Sequence, residues 1–279
     1  MRTELVSIPT DTVPLDGAYY TPEDREPVGG ILLMHGNTMN FYTGAPRFLP
    51  PYLTALGYAC LSFNRRGHDI LTIRDSREPV GGAFQTAAEG IVDNEYAARF
   101  LAGCGYMRPI VIGHSNGGML AAEFAACHPE TRALVLLSAH RGGADILRLT
   151  CDAGQLAADR LEDALALARE RVSAEDGHHL MMLPGWWYVI SAESLLDRLS
   201  NTPDTLTAAE RIRCPVLYVR GDCESSHVYP AEEFQRRMPA PGDVVIVPGC
   251  DHFYVGKEPE IARIVCEWLT HTLSGDAQL

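Results

Sequence analysis

The sequence lacks the features that would direct the chain to a membrane, a metal ion or a nucleic acid. Its first residues hold no apolar run of signal-peptide length, and no stretch approaches the ~18 apolar residues of a membrane span. The eight cysteines show no Cys-x-x-Cys pair and no metal-ligand spacing. Basic residues are few, since 23 Lys and Arg face 36 Asp and Glu, for a net charge of −13. Nucleic acids and anionic membranes attract basic surfaces, so we expect neither as a partner.

These absences leave a soluble globular protein. A hydrophobic content of 46% over 279 residues allows one large α/β domain, with or without an insertion. We expect reduced cysteines, a cytoplasmic location, no metal and no cofactor. Cys223 and Cys250 neighbour candidate site residues, and a disulfide between them is the alternative for that pair. The expected partner is a small-molecule substrate, and a homodimer is compatible with the sequence.

The most informative local pattern is Gly-x-Ser-x-Gly, centred on Ser115. A short apolar β-run, Ile110–Ile112, precedes it and ends at Gly113, and an Ala-rich helical run, Met119–Cys127, follows. A strand-to-helix turn this tight needs residues that are nearly free of side chain on both sides of the serine. It lifts the serine hydroxyl above the carboxyl edge of a sheet. It also aims the Asn116 N–H at the same point, at the positive end of a helix dipole.

Strands and helices alternate on both sides of this turn, which predicts a mostly parallel central sheet flanked by helices. The predicted strands are Glu4–Ile8, Ala18–Tyr20, Gly29–Met34, Tyr58–Phe63, Ile110–Ile112, Ala133–Leu137, Pro215–Arg220 and Asp243–Val247. The predicted helices are Pro46–Leu56, Ala87–Ala102, Met119–Cys127, Glu193–Leu199, Ala231–Met238 and one that starts at Pro259. Parallel sheets place their sites at the carboxyl ends of the strands, so the loops after these strands are the expected site.

The alternation stops between about residues 142 and 211. We therefore assign 1–143 and 211–279 to the α/β core and 144–210 to an inserted helical cap. Asp152-x-x-Gln155 resembles a capping box and predicts a helix that begins after Asp152. Leu161, Leu165, Ala168 and Val172 follow at intervals of one helical face.

Met181, Trp186 and Trp187 lie in the cap and have two interpretations, the core of the cap or the lining of a substrate pocket. We take them as candidate substrate-binding residues. Aromatic rings and a thioether would suit a bulky, partly apolar acyl or alcohol group.

The chain also offers a base and an acid for the serine. A serine hydroxyl is a poor nucleophile at neutral pH and needs a base, which in turn needs an orienting acid. His252 follows the last predicted strand, and Asp222 and Glu224 follow the strand before it. The order is therefore serine, acid, histidine.

Five segments together resemble the α/β-hydrolase superfamily over nearly the whole chain. They are Leu33-Met34-His35-Gly36-Asn37, Phe63-Asn64-Arg65-Arg66-Gly67-His68, Gly113-His114-Ser115-Asn116-Gly117, Val219-Arg220-Gly221-Asp222-Cys223-Glu224 and Pro248-Gly249-Cys250-Asp251-His252-Phe253. The resemblance implies the α/β-hydrolase fold, a helical cap after the sixth strand and acyl-transfer chemistry. It does not fix the substrate, because this fold carries many activities and also non-enzymatic receptors.

The resemblance also places the remaining site residues. In the family the acid usually lies three residues past the glycine that ends its strand, which from Gly221 is Glu224. We favour Glu224 over Asp222, for which turn capping is the alternative role. The second oxyanion donor should come from the loop after the third strand, and we choose the backbone N–H of Asn37 beside that of Asn116.

We therefore expect a serine ester hydrolase, lactones included, in which Ser115, His252 and Glu224 carry the chemistry. A carbon–carbon bond hydrolase or an amidase on the same residues is the alternative. A ligand-binding receptor on the same fold is less favoured, because the serine–acid–histidine set is intact.

Overall fold

The computed structural model describes residues 1–73, 77–185 and 188–274, and these residues contain ten strands. They are β1 (Arg2–Ile8), β2 (Leu15–Thr21), β3 (Gly30–Met34), β4 (Ala59–Phe63), β5 (Ile110–His114), β6 (Ala133–Leu137), β7 (Leu180–Leu183), β8 (Tyr188–Ser191), β9 (Val216–Gly221) and β10 (Gly242–Val247). Eight of them form one sheet, and β7 pairs with β8 in a separate antiparallel hairpin.

The main sheet has the order β1-β2-β4-β3-β5-β6-β9-β10. The edge hairpin β1–β2 is antiparallel and joins β4 antiparallel, and every pair from β4 to β10 is parallel. Every residue of β3 to β6 and of β9 is buried, as expected of continuous apolar runs covered on both faces. The predicted fold class, a mostly parallel sheet with flanking helices, is therefore confirmed.

The helices are α1 (Ala45–Phe48), α2 (Pro50–Ala55), α3 (Ala87–Gly103), α4 (Asn116–Cys127), α5 (Ile146–Asp152), α6 (Leu161–Ser173), α7 (Ala192–Asn201), α8 (Thr205–Ala209), α9 (Ala231–Arg237) and α10 (Glu258–Leu273). Apolar side chains from α3, α4, α8 and α9 pack with one face of the sheet. Those from α1, α2 and α10 pack with the other, where Ile261, Val265 and Leu269 are fully buried. The two cores hold the sheet rigidly, so its carboxyl edge is a firm base for a site.

Most predicted boundaries differ from the structure by a few residues, and two of the differences have a physical reason or bear on the site. The helix expected over Pro46–Leu56 is divided into α1 and α2, because Pro50 and Pro51 have no N–H to donate to carbonyls one turn earlier. The strand expected to end at Gly113 continues to His114, and the following helix begins at Asn116 rather than Met119. The serine turn is thus tighter than the sequence pattern required.

The predicted cap segment, 144–210, contains α5 to α8 and the β7–β8 hairpin, which the expectation of a helical cap did not include. Apolar residues of α5, α6, α7 and the hairpin form a cluster of their own, which Val228 and Tyr229 of the core join. Leu206, Ala208 and Ala209 of α8 instead pack with the main core. The cap therefore rests on the loop after β9, next to the candidate acids.

The predicted helix start at Asp152 is wrong. Asp152 is the last residue of α5, and the next helix begins at Leu161 with Arg160 as its N-cap. The capping-box pattern gave a wrong result because α5 is short and follows two glycines. Its sequence therefore holds no periodic apolar run that would predict a helix. In α6, Leu161, Leu165 and Ala168 are buried as predicted, and Val172 at the helix end is exposed.

All eight cysteines are free, so Cys223 and Cys250 form no disulfide. Cys250 is buried beside Gly221, whereas Cys223 is exposed. Within residues 1–73, 77–185 and 188–274, no helix has the length and apolar character needed to cross a membrane.

Candidate active site

Ser115 occupies the strained turn between β5 and α4. Its φ of 57° and ψ of −120° lie in a region that non-glycine residues rarely adopt, and its N–H donates to Leu137 O at 2.9 Å. A Cβ at Gly113 would lie 2.3 Å from Gly117 O, and one at Gly117 would lie 2.3 Å from His35 O. Both glycines are therefore required by close backbone approach, which is what the sequence pattern implied.

His252, in the loop after β10, faces the serine. Its Nε2 lies 3.0 Å from Ser115 Oγ, and its ring is buried between Tyr229 and Phe253 at centroid distances of 4.9 Å and 5.1 Å. His114, the residue before the serine, donates from Nε2 to the His252 carbonyl at 2.8 Å. Burial lowers the pKa of His114 to about 3, so this ring is a neutral, fixed support for the loop that carries His252.

Glu224 lies behind the histidine. Its Oε1 is 2.7 Å from His252 Nδ1, and its Oε2 accepts from Ser138 Oγ at 2.6 Å and from the Gly221 N–H at 2.8 Å. Asp222 is exposed and accepts from the Gly249 N–H at 2.8 Å, which ties the two loops after β9 and β10 together. The geometry thus places Glu224, and not Asp222, in line with His252 and Ser115.

The direction of these hydrogen bonds follows from the carboxylate. An ionised carboxylate only accepts, so His252 Nδ1 carries a proton and Nε2 is left to accept from the Ser115 hydroxyl. The hydroxyl of Ser138 likewise donates to Glu224 and accepts from Tyr254 OH at 2.7 Å. Ser138 and Tyr254 were not predicted. The available signal was a polar residue directly after the buried strand β6.

Of the two predicted oxyanion donors, one follows Ser115 directly in the chain and the other lines the same cavity. Asn116 opens α4, and Asn37 follows β3 in the wall of the cavity that holds Ser115 and His252. Neither backbone N–H has an acceptor among the described residues. Both remain predictions as oxyanion donors.

The loop between β3 and Asn37 is held by hydrogen bonds from the buried Arg65. Arg65 donates from Nη2 to His35 O at 2.7 Å, and its backbone N–H donates to His35 Nε2 at 3.1 Å. Burial, reinforced by the Arg65 charge, keeps the pKa of His35 well below its ordinary value, so the ring is neutral. Its Nδ1–H then donates to Gly36 O at 2.7 Å. These bonds fix the carbonyls of the loop and so the direction of the following N–H.

A third neutral histidine, His140, braces the start of α4. Its Nδ1 accepts from the Gly142 N–H at 3.0 Å, so its Nε2 carries the proton and donates to Asn116 Oδ1 at 3.2 Å. Burial first, and then the nearby Arg198 and His252 side chains, lower the pKa of His140 to about 3. Sequence analysis missed His140, although it follows the carboxyl end of a predicted strand.

These depressed pKa values predict that the fold loses stability in acid. Between pH 6.5 and 3 the unfolded chain binds protons at His140 and His114 that the folded chain does not, so stability falls as the pH falls. Replacing His140 with glutamine should flatten the slope of unfolding free energy against pH by up to about 1.4 kcal/mol per pH unit. Urea unfolding at several pH values measures this slope. An unchanged slope would mean that His140 is protonated in the folded state.

A cavity of about 440 Å³ opens above Ser115, between the sheet edge and the cap. Its wall comprises Asn37, Thr38, Met39, Ser115, His140, Ile146, Leu147, Thr150, Gln155, Leu156, Arg198, Thr202, Val228, Tyr229, His252 and Phe253. Among the described residues, no group of three His, Cys, Asp or Glu side chains is placed to hold a metal ion. The cavity is thus a mostly apolar chamber with the candidate nucleophile in its floor.

Of the three predicted substrate contacts in the cap, the structure describes Met181. Met181 packs in the core of the cap, because the alternation of β7 turns Met181 and Leu183 inward and Leu180 and Met182 outward. It is absent from the described wall of the cavity, so of the two interpretations the structure favours the core of the cap for Met181. Trp186 and Trp187 lie outside the described residues.

Comparison with known proteins identifies a family that the chain matches. The sequence model of the Alpha/beta hydrolase family matches residues 31–263, which is most of the chain. No curated protein sequence matches the chain.

Solved structures with the same fold cover nearly the whole chain. Est1E from Butyrivibrio proteoclasticus with bound ferulic acid has a TM-score of 0.72 at 18% identity, covering 96% of this chain and 99% of its own. The α/β hydrolase GrgF from Penicillium sp. sh18 has a TM-score of 0.74 at 16% identity, covering 98% and 100%. The dienelactone hydrolase of Anabaena variabilis has a TM-score of 0.61 at 17% identity, covering 97% and 98%. At these identities the likeness concerns the fold.

Proposed function

The chain belongs to the α/β hydrolase family, and on that premise we propose that it is a serine hydrolase that cleaves a carboxylic ester or a lactone. The observation that carries the proposal is the line of contacts from Glu224 through His252 to Ser115, at 2.7 Å and 3.0 Å, beneath an apolar cavity. A serine, a histidine and a carboxylate in this arrangement form the constellation of nucleophilic acyl transfer. Structural relatives named as a dienelactone hydrolase and as an esterase domain from a Rhodothermus marinus protein favour ester or lactone substrates.

The first half of the reaction forms an acyl-enzyme. Ser115 Oγ attacks the carbonyl carbon as its proton passes to His252 Nε2, and Glu224 stabilises the imidazolium that results. The carbonyl oxygen becomes an oxyanion that accepts from the backbone N–H groups of Asn37 and Asn116. When the oxyanion collapses, the bond to the leaving oxygen breaks. That oxygen takes the proton from His252 Nε2 and departs as an alcohol, or stays tethered in a lactone.

The second half releases the acid. A water molecule takes the position of the alcohol and attacks the acyl carbon as His252 Nε2 accepts its proton. Collapse of the second oxyanion breaks the bond to Ser115 Oγ, which takes a proton from His252. The products are a carboxylic acid and the free enzyme: the original Ser115 proton has gone to the alcohol oxygen, and a proton from the water has replaced it on Ser115.

The test combines labelling with a substrate panel. A fluorophosphonate probe should attach covalently to the wild-type protein, and peptide mass spectrometry should locate the adduct on Ser115. A panel of p-nitrophenyl esters, lactones, anilides and vinylogous diketones then compares the bond types. Turnover confined to esters and lactones is the expected result. Faster cleavage of the anilide or of the carbon–carbon bond would favour the alternative reactions, and labelling elsewhere would reject the proposed site.

A further inference from the structure

The wall of the cavity is chemically uneven. Ile146, Leu147, Leu156, Val228 and Phe253 give it a broad apolar side. Of the described residues in the wall, Arg198 alone carries a fixed charge, because His140 is neutral. A fixed positive charge in the wall of a mostly apolar chamber favours a bound molecule that carries an anionic group.

Arg198 reaches the cavity from the cap helix α7 and stands close to the reacting centre. Its Nη2 donates to the side-chain Oδ1 of Asn37 at 2.8 Å. The backbone N–H of the same asparagine is a proposed oxyanion donor. The positive charge thus lies about one side-chain length from the place where the scissile carbonyl would bind. Its effect extends further, since it contributes to the depressed pKa of His140 across the cavity.

The acidic neighbour of Arg198 along the helix points elsewhere. Asp197 Oδ2 accepts from the Ala87 N–H at the start of α3 at 2.7 Å, and its Oδ1 accepts from Asn201 at 2.8 Å. Asp197 therefore anchors the cap to α3, and its charge serves the N-terminus of that helix. Arg198 and Asp197 leave α7 in different directions, one toward the cavity and the other toward the core.

We propose that Arg198 binds a carboxylate of the substrate, so that the preferred substrates are half-esters or lactones carrying a free carboxylate a few bonds from the scissile carbonyl. The inference rests on the proposed function. A guanidinium has five N–H donors in a planar fork, so a bond to Asn37 is compatible with a bidentate bond to a carboxylate. One arginine matches the single charge of a carboxylate better than the near-double charge of a phosphate monoester.

The net charge of the chain gives Arg198 a second role in the binding of an anionic substrate. At −13 the protein as a whole repels anions, so a substrate with a carboxylate would enter this cavity only if a local positive charge compensated. Arg198 supplies that charge at the polar end, while the apolar side holds the carbon skeleton. A neutral ester of the same shape would place an uncharged group against the guanidinium. It would therefore lack the binding free energy that the charged hydrogen bonds contribute.

The experiment compares two substrates of equal size. Monoethyl glutarate carries the carboxylate, and in its isostere a methyl ketone replaces that group; ethanol release is followed for both. The wild-type kcat/KM for the half-ester should exceed that for the isostere by about 10- to 100-fold, the range expected for hydrogen bonds to a charged group. Arg198→Gln should bring the ratio near one. Arg198→Lys, which keeps the charge but not the fork, should give an intermediate ratio.

Arg148 provides the matched control, because it is an exposed arginine of the cap on α5. Arg148→Gln removes the same charge from the same unit and should retain the wild-type ratio. A wild-type ratio near one, a ratio that survives in Arg198→Gln, or an equal loss in Arg148→Gln would each overturn the inference. Equal slowing of both substrates by Arg198→Gln would also overturn it, because that result is expected if Arg198 only connects the cap to the core.

Failure of the proposed function would be recognised separately. If the wild-type protein hydrolyses neither ester, the hydrolase proposal fails. The anion site is then judged by calorimetric titration of the Ser115→Ala protein with the same two compounds. Tighter binding of the half-ester, abolished in the Ser115→Ala, Arg198→Gln double variant, would support the carboxylate site. Equal binding of the two compounds would overturn it.

Discussion

Replacing Ser115 with alanine is expected to lower kcat for ester hydrolysis by about 10⁴- to 10⁶-fold, the loss that follows removal of the triad serine from a serine protease. The hydroxyl is the group that bonds to the acyl carbon, and no neighbouring side chain can take its place at the turn. What remains should be the acceleration that the oxyanion donors give to direct attack by water. The measurement is kcat for a p-nitrophenyl ester, together with labelling by a fluorophosphonate.

The alanine variant should keep its fold. Ser115 already adopts a positive φ that alanine would share, and its backbone N–H still donates to Leu137 O. Ser173→Ala, at an exposed position in the cap, is the matched control and should behave as wild type in rate and labelling. Undiminished labelling of Ser115→Ala, with an unchanged unfolding midpoint, would show that the reactive serine lies elsewhere.

The sequence predicted those parts of the molecule that are determined by the pattern of residues within a short segment. The sequence pattern predicted all eight strands of the main sheet, and most directly the five that are buried along their whole length, β3 to β6 and β9. The turn at Ser115 was readable because only glycine permits the approach of Gly113 to the Gly117 carbonyl. The spacing from Gly221 to Glu224 was readable through the family resemblance, since a loop of fixed length presents the acid.

The remainder depended on packing between distant segments. Arg198 lies 161 residues from Asn37 in sequence, and nothing in the α7 pattern says that its side chain turns toward the sheet edge. Met181 illustrates the same limit in reverse. Its strand alternates, but which face of the β7–β8 hairpin meets the cap helices is decided by tertiary contacts. Pairings such as Ser138 with Glu224 arise only when the carboxyl ends of neighbouring strands come together.

The second large effect is expected at Glu224. Glu224→Gln should lower kcat by about 10³- to 10⁴-fold, comparable with the loss when an amide replaces the acid of a serine protease triad. The position of Oε2 receives two donors, the Ser138 hydroxyl and the Gly221 N–H. A glutamine would therefore keep its carbonyl oxygen there and turn its NH₂ toward His252 Nδ1. That nitrogen would have to accept, the ring proton would move to Nε2, and His252 could no longer take the proton of Ser115.

Asp222→Asn is the matched control, because it tests the second acidic residue of the same loop. Asp222 is exposed, and its Oδ1 accepts from the Gly249 N–H and from Cys223 Sγ, roles that an asparagine carbonyl can also fill, so kcat should stay within about threefold of wild type. Steady-state kinetics on both variants, at matched protein stability, separates the two acids. A large loss in Asp222→Asn with little change in Glu224→Gln would reverse the assignment, and the carboxylate behind His252 would then serve to hold the loop rather than to orient the base.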